Sequence, residues 1–365
     1  MTYLSKFQEL VDRAEDEQYS PMSGPWLEEA WELAVEHGDI PNAVVARYLY
    51  MFAVAPIEPA RALMAFSWCV AHAEQAESVL PGASIAQLYG IAIGILRSYP
   101  DYSLEQIETT FVEMENQYRK FGLPARDIYH HRVYMALTVG DRDGAKEWFD
   151  RWMAAPLEPG ACAACDRGTQ VLFHLHREAF DTGLQLAEPL LNSQLGCPHG
   201  QPLMTHAAVL VPMIRNNAFE RAELSYRVTT HLMTDVSYAG IWVVGRQLGY
   251  LSLAGQLDEA LQNFDRFAGY GLLKGTPGDR FGFLLSLKSL TRLAVERQNA
   301  GPIVSTLRHV GVVVPDGDAA LRWVTAEVKQ LADAFDRRNR NGEFSRIVSV
   351  FDQAYEALAE HRRLS

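Results

Sequence analysis

The chain lacks any apolar run approaching the roughly eighteen uncharged residues needed to cross a bilayer. Its opening, MTYLSKFQELVDRAEDEQ, scatters acids where an export leader would carry a continuous apolar segment. No membrane span is expected, and the expected compartment is the cytoplasm. Positive charge is also scarce, with 33 Lys and Arg against 45 Asp and Glu and a net charge of −12. Sequence-independent binding to phosphate backbones or anionic lipid depends on clustered Lys and Arg, so neither nucleic acid nor a membrane surface is an expected partner. Arg337, Arg338 and Arg340, with Arg362 and Arg363 at the tail, read as solvated clusters in an acidic protein. Alternating apolar and polar positions of the kind strands need are hard to find. Signatures of catalysis are missing as well: there is no Gly-x-Ser-x-Gly elbow, His-Glu-x-x-His helix or calcium loop. The glycine-rich GLLKGTPGDRFG, Gly271 to Gly282, lacks the Gly-Lys-Ser/Thr order that cradles phosphate and reads as a turn. A non-enzymatic protein is expected.

What the chain does have is a core and a period. Hydrophobic residues make up 48% and charged residues 21%, too apolar for disorder. The triads Leu104/Ile107/Phe111, Arg142/Ala145/Phe149, Phe180/Gly183/Ala187, Phe219/Ala222/Tyr226 and Leu257/Ala260/Phe264 repeat one pattern, with middle positions 38 or 39 residues apart. A small residue where two helices must approach, followed by a larger apolar one, is how a stacked helix-pair array reads. The fold class expected is all-α: a right-handed, tetratricopeptide-like superhelical solenoid of helix hairpins. Five positions before each small residue sit Gly140, Glu178, Asn217 and Gly255, three of them residues that accept the left-handed conformation ending a helix. Helix breakers Pro156, Pro159, Pro198, Pro202 and Pro277 fall between repeats. Three segments are expected: irregular N-terminal helical repeats over 1–99, regular repeats over 100–272, and a C-terminal helical cap over 273–365. The cap would comprise Phe281 to Glu296, Ala319 to Phe335 and Phe344 to Ala359, hiding the last apolar face.

Three of the four cysteines are clustered in sequence. Cys162 and Cys165 lie in PGACAACDRG, and Cys197 lies in LGCPHGQP with His199 two residues on. A thiolate pair two residues apart holds a metal ion from one turn, and a second pair completes the tetrahedron. Adding one 38-residue period to Cys162 reaches position 200, so both halves occupy nearly the same corner of successive repeats. The reading is a structural zinc clip of Cys162, Cys165, Cys197 and His199, with His206 as the alternative fourth ligand. Buried unliganded thiols and a redox dithiol at a helix N-terminus remain open from the sequence. A catalytic metal fits less well, because four filled positions leave no place for an activated water. Cys69, alone in MAFSWCVAHA, reads as core.

The runs Cys162-Ala-Ala-Cys165-Asp166, Ala187-Glu188-Pro189-Leu190-Leu191, Leu195-Gly196-Cys197 and Gln201-Pro202 resemble a group of tetratricopeptide-repeat proteins common in actinobacteria. The similarity continues through NNAFERAELSYR into LSLAGQLDEALQNF and covers roughly residues 125 to 272. In that group the three cysteines recur at comparable spacing, which implies a metal-stabilised corner. The interval from Cys197 to Pro202 is one residue longer than expected for the group, so His199 and His206 both stay open. The resemblance implies a bacterial repeat protein and assigns no activity.

In helix-pair arrays the first helix of each repeat lines the concave side. Those segments carry Tyr129, His130, Tyr134, His174, His206, Trp242 and Arg246, rigid amphipathic groups suited to a protein or peptide partner. Tyr and His on a helix face are also commonly packed against a neighbour, and Arg132 and Gln170 are expected to pair between helices. The functional expectation is a protein- or peptide-binding scaffold or regulator. The alternatives are a peptide-responsive regulator without its own DNA-binding domain, since the first sixty residues show no basic recognition helix, or an accessory protein of a biosynthetic or defence gene cluster.

Overall fold

The computed structural model describes residues 2–17, 20–55, 57–157, 162–197, 200–233 and 240–364. Among them are nineteen α-helices, one short 3-10 turn and no strand. The chain divides into two compact units, Met1–Met135 with Asp143–Leu157, and Ala136–Arg142 with Glu158–Ser365. In the second unit one continuous apolar cluster runs from Val171 to Ala359.

The first unit contains α1 (Tyr3–Asp16), α2 (Gly24–Glu36), α3 (Ile40–Val54), α4 (Pro59–Ala71), α5 (Ala73–Ala76), α6 (Gly82–Arg97), α7 (Leu104–Lys120), and most of α8 (Arg126–Val139) and α9 (Arg142–Ala154). Its apolar residues form three separate clusters. Cys69 is fully buried as expected, and burial pushes its thiol up to about 12. Arg132 of α8 pairs with Glu108 and Glu115 of α7 at 2.9 and 2.8 Å while stacking over Phe111, which is the interhelical role expected of it.

The second unit contains α10 (Ala163–His176), α11 (Phe180–Leu191), α12 (Leu203–Arg215), α13 (Phe219–Leu232), α14 (Gly240–Ala254), α15 (Leu257–Leu273), α16 (Pro277–Glu296), α17 (Gly301–His309), α18 (Gly317–Asn339) and α19 (Glu343–Leu364). Each even-numbered helix from α10 to α16 packs on the next even-numbered one, and α11, α13 and α15 each pack on the even helices before and after them. The small residues of the period explain this closeness. Ala222 and Ala260 have no exposed surface, and a Cβ at Gly183 would lie 2.8 Å from Leu175.

The turns repeat as faithfully as the helices. Gly140, Glu178, Asn217 and Gly255 all adopt positive φ, at 75°, 62°, 58° and 79°. After each, the next N–H reaches back five residues: Asp141 to Ala136, Ala179 to His174, Ala218 to Met213 and Gln256 to Leu251, at 2.9 to 3.0 Å. This is the Schellman closure, and it satisfies carbonyls that the helix end would otherwise orphan.

α19 packs on α18 and also returns across α14 and α16. Its start is capped by Asp336, whose carboxylate accepts from the N–H groups of Phe344 and Ser345 at 2.8 and 3.0 Å. Phe344 stacks on Phe335 with centroids 4.2 Å apart. Lys288 donates to Asp352 at 2.7 Å, and the Tyr355 hydroxyl donates to Glu296 at 2.9 Å. The even-numbered face of the second unit is thus partly covered by its own C-terminus.

Candidate metal centre

The thiols are positioned by the start of one helix and the loop before another. Cys162 is the N-cap of α10, with extended backbone at φ −82° and ψ 105°, and Cys165 lies in the first turn. The Asp166 N–H donates to the Cys162 carbonyl at 3.0 Å, which closes that turn. After α11 the N–H groups of Gln194 and Leu195 both donate to the Pro189 carbonyl at 2.9 Å, turning the chain toward Cys197. The Cys197 N–H then donates to the Gln201 carbonyl at 3.1 Å and forms an isolated antiparallel bridge.

These pieces bring Cys162, Cys165 and Cys197 together, with all three Sγ atoms within 4.8 Å of one another. The Cys165 and Cys197 sulfurs are 3.4 Å apart. A tetrahedral ion with metal–sulfur bonds near 2.3 Å would set thiolates about 3.8 Å apart, so the trio matches that geometry to within small side-chain adjustments. All three side chains are half-buried, which leaves an approach from solvent. Burial works against ionising Cys162, yet hydrogen bonds, first from the backbone N–H of Cys165, outweigh it and lower its pKa. Burial raises Cys165 above the ordinary thiol range, and the neighbouring thiols Cys197 and Cys162 add to the effect. Cys162 is thus eased toward its thiolate, and a bound cation would drive the deprotonation of Cys165. Three soft donors fit a thiophilic ion.

The two proposed fourth ligands fare differently. His199 lies outside the described residues. His206 is not one of the clustered groups. It is 3% exposed on α12, its Nδ1 has no hydrogen-bond partner, and burial lowers its pKa to about 4. Its burial also removes it from any surface groove.

The remaining groove candidates divide between the units. Tyr129 stacks on Trp148 at 6.0 Å, and His130 contacts Tyr134 and Trp152 at 5.1 and 5.5 Å, all in the first unit. In the second unit Trp242 lies under the Arg246 guanidinium at 5.1 Å, both half-buried, and His174 is half-buried with its pKa lowered by burial and by Arg177. These contacts show aromatic packing within each unit, which is the role such residues also have in ordinary cores. Three residues packed beside the thiol corner carry no metal-ligand signal in the sequence: Gly168, Gln201 and Thr205. The one hint was Gly168 itself, a glycine inside a helix.

A scan with protein-family models and a search of curated proteins both return no match. Among the described residues no helix is long and apolar enough to cross a membrane.

Proposed function

We propose that this protein is a tetratricopeptide-like helical-repeat scaffold, non-enzymatic and stapled by one zinc ion at the corner between α10 and the loop before α12. The observation that carries this reading is the convergence of Cys162, Cys165 and Cys197 from two successive helix pairs. Cys162, Cys165 and Cys197 would hold the ion with His199 as the fourth ligand, and the ion would supply cross-linking rather than chemistry, because a filled tetrahedron offers no open position. The ordered succession of small-residue contacts supports the solenoid reading, since each hairpin hides its apolar side on the next. A scaffold of this kind acts by presenting a surface, and the partner it suits is a protein or peptide in the cytoplasm.

Elemental analysis of the purified protein should find about one zinc per chain. Chelation should loosen residues 155–210 by hydrogen exchange, and Cys162→Ser or Cys197→Ser should abolish zinc retention. Metal-free protein with unaltered melting would end the clip reading. For the partner, a panel of short peptides tested by thermal shift should contain one that raises Tm with concentration, as ligand linkage requires. Trp242→Ala should weaken that rise, and equal shifts in wild type and variant would remove Trp242 from the binding surface.

A further inference from the structure

A glycine in the interior of a helix costs about 1 kcal/mol relative to alanine, so one that persists there marks a close approach. Gly168 is such a residue, buried one turn beyond Cys165 in α10. A Cβ at this position would lie 2.3 Å from Gln201 Nε2 and 3.1 Å from its Cδ. The amide nitrogen of Gln201 therefore occupies the space that a Cβ on this turn of α10 would fill. The same residue makes two other ties. Its Oε1 accepts from the Thr205 hydroxyl at 2.8 Å, and its main-chain carbonyl accepts from the Cys197 N–H at 3.1 Å. One residue thus joins the first turn of α12, the loop carrying Cys197 and the helix carrying Cys165.

We propose that Gly168 and Gln201 form a latch that holds Cys197 against α10 and sets the Sγ separation of the thiol corner. They are positioning residues and do not themselves reach the sulfurs. Use of the latch in holding a metal rests on the reading given above, whereas its control of the thiol geometry does not. The atom that a Cβ would strike is the far end of a flexible side chain, so Gly168→Ala displaces the Gln201 amide and leaves the helix intact. Alanine is also the better helix former. The substitution should therefore keep or raise Tm while opening the corner, a combination that a purely structural role for Gly168 does not produce.

Two measurements on the full-length protein separate the possibilities. In chelator and a Cys162→Ser background, the protein is equilibrated with glutathione disulfide. Cys165 and Cys197 lose two protons and two electrons to form one S–S bond, and the glutathione disulfide takes them up to leave as two thiols. Gln201→Ala and Gly168→Ala should each lower this equilibrium constant by roughly tenfold, the size expected for loss of one hydrogen bond and its packing. Unchanged equilibria in both folded variants would overturn the latch. In parallel, Co(II) is titrated into the chain with all its cysteines and followed by its thiolate charge-transfer absorption. The same two substitutions should weaken Co(II) binding by about 10- to 100-fold, as outer contacts to ligands do. Wild-type chain that fails to bind Co(II) counts against the metal reading alone, and the thiol equilibrium still decides the latch. Tight Co(II) binding by wild type and both variants alike would overturn the latch's part in metal holding.

Discussion

At the scale of single residues, His206 gives the clearest consequence. Folding takes its imidazole from an ordinary 6.5 to about 4, because burial on α12 disfavours the charged form. Between those values the unfolded chain binds a proton that the folded chain refuses, so stability holds above about pH 6.5 and falls as pH drops toward 4. Each tenfold fall in proton affinity is worth about 1.4 kcal/mol, which puts the full loss on the order of 3 kcal/mol. Urea melts across this window should show the decline, and His206→Leu should flatten part of it; an unchanged slope in that variant would assign the acid sensitivity elsewhere. The thiols show how far residue-level signals reach. Cys162, Cys165 and Cys197 were legible because the period carries one pair onto the other. His206 was legible as an imidazole near that corner, but its burial depends on how α12 packs. Gly168 was legible only as a glycine inside a helix: a missing Cβ has meaning only beside the atom that fills its space, and Gln201 lies 33 residues further along.

At the scale of helices and turns, the positive-φ positions carry the argument. A residue with a Cβ pays roughly 1–2 kcal/mol in the left-handed region, and glycine does not. Gly255→Ala should accordingly destabilise the chain by about 1 kcal/mol. Gln298 sits at φ 54° with an exposed side chain, so Gln298→Gly should stabilise by about 0.5–1 kcal/mol once the added freedom of the unfolded chain is offset. Thermal melts of the two variants test both signs, and equal shifts in one direction would contradict this account of the turns. Three of the four repeated turn positions were recognisable as Gly or Asn. Glu178 was not, and its left-handed backbone is held by the 3.0 Å closure from Ala179 and by Arg346, which pairs with its carboxylate at 2.8 Å. That second contact comes from α19, 168 residues away in the chain, so no local pattern announces it.

At the scale of the whole molecule, the two units differ in how their apolar residues connect. The second unit shares one cluster across every helix from α10 to α19, while the first divides its core among three smaller clusters. Local opening is easiest where fewer buried contacts must break together. Amides of α14 and α16 should therefore exchange most slowly, and those of α1 to α4 markedly faster, in native-state hydrogen exchange. Uniform protection across both units would show that core connectivity does not govern opening here. The C-terminal helix matters at this scale too. Truncating Phe344, 7% exposed and stacked on Phe335, should cost about 3–5 kcal/mol and release α19 early in the same experiment.

The spacing of small and large apolar residues determined by itself that the chain is helical and paired, because that periodicity reports how each helix must meet its neighbour in sequence. It likewise determined that three cysteines share a corner. Only the tertiary structure decided that α19 turns back over α14 and α16, and that Gln201 rests on Gly168. Those outcomes depend on contacts between residues far apart along the chain, where side-chain volume and a satisfied hydrogen bond choose among approaches that local pattern leaves equal.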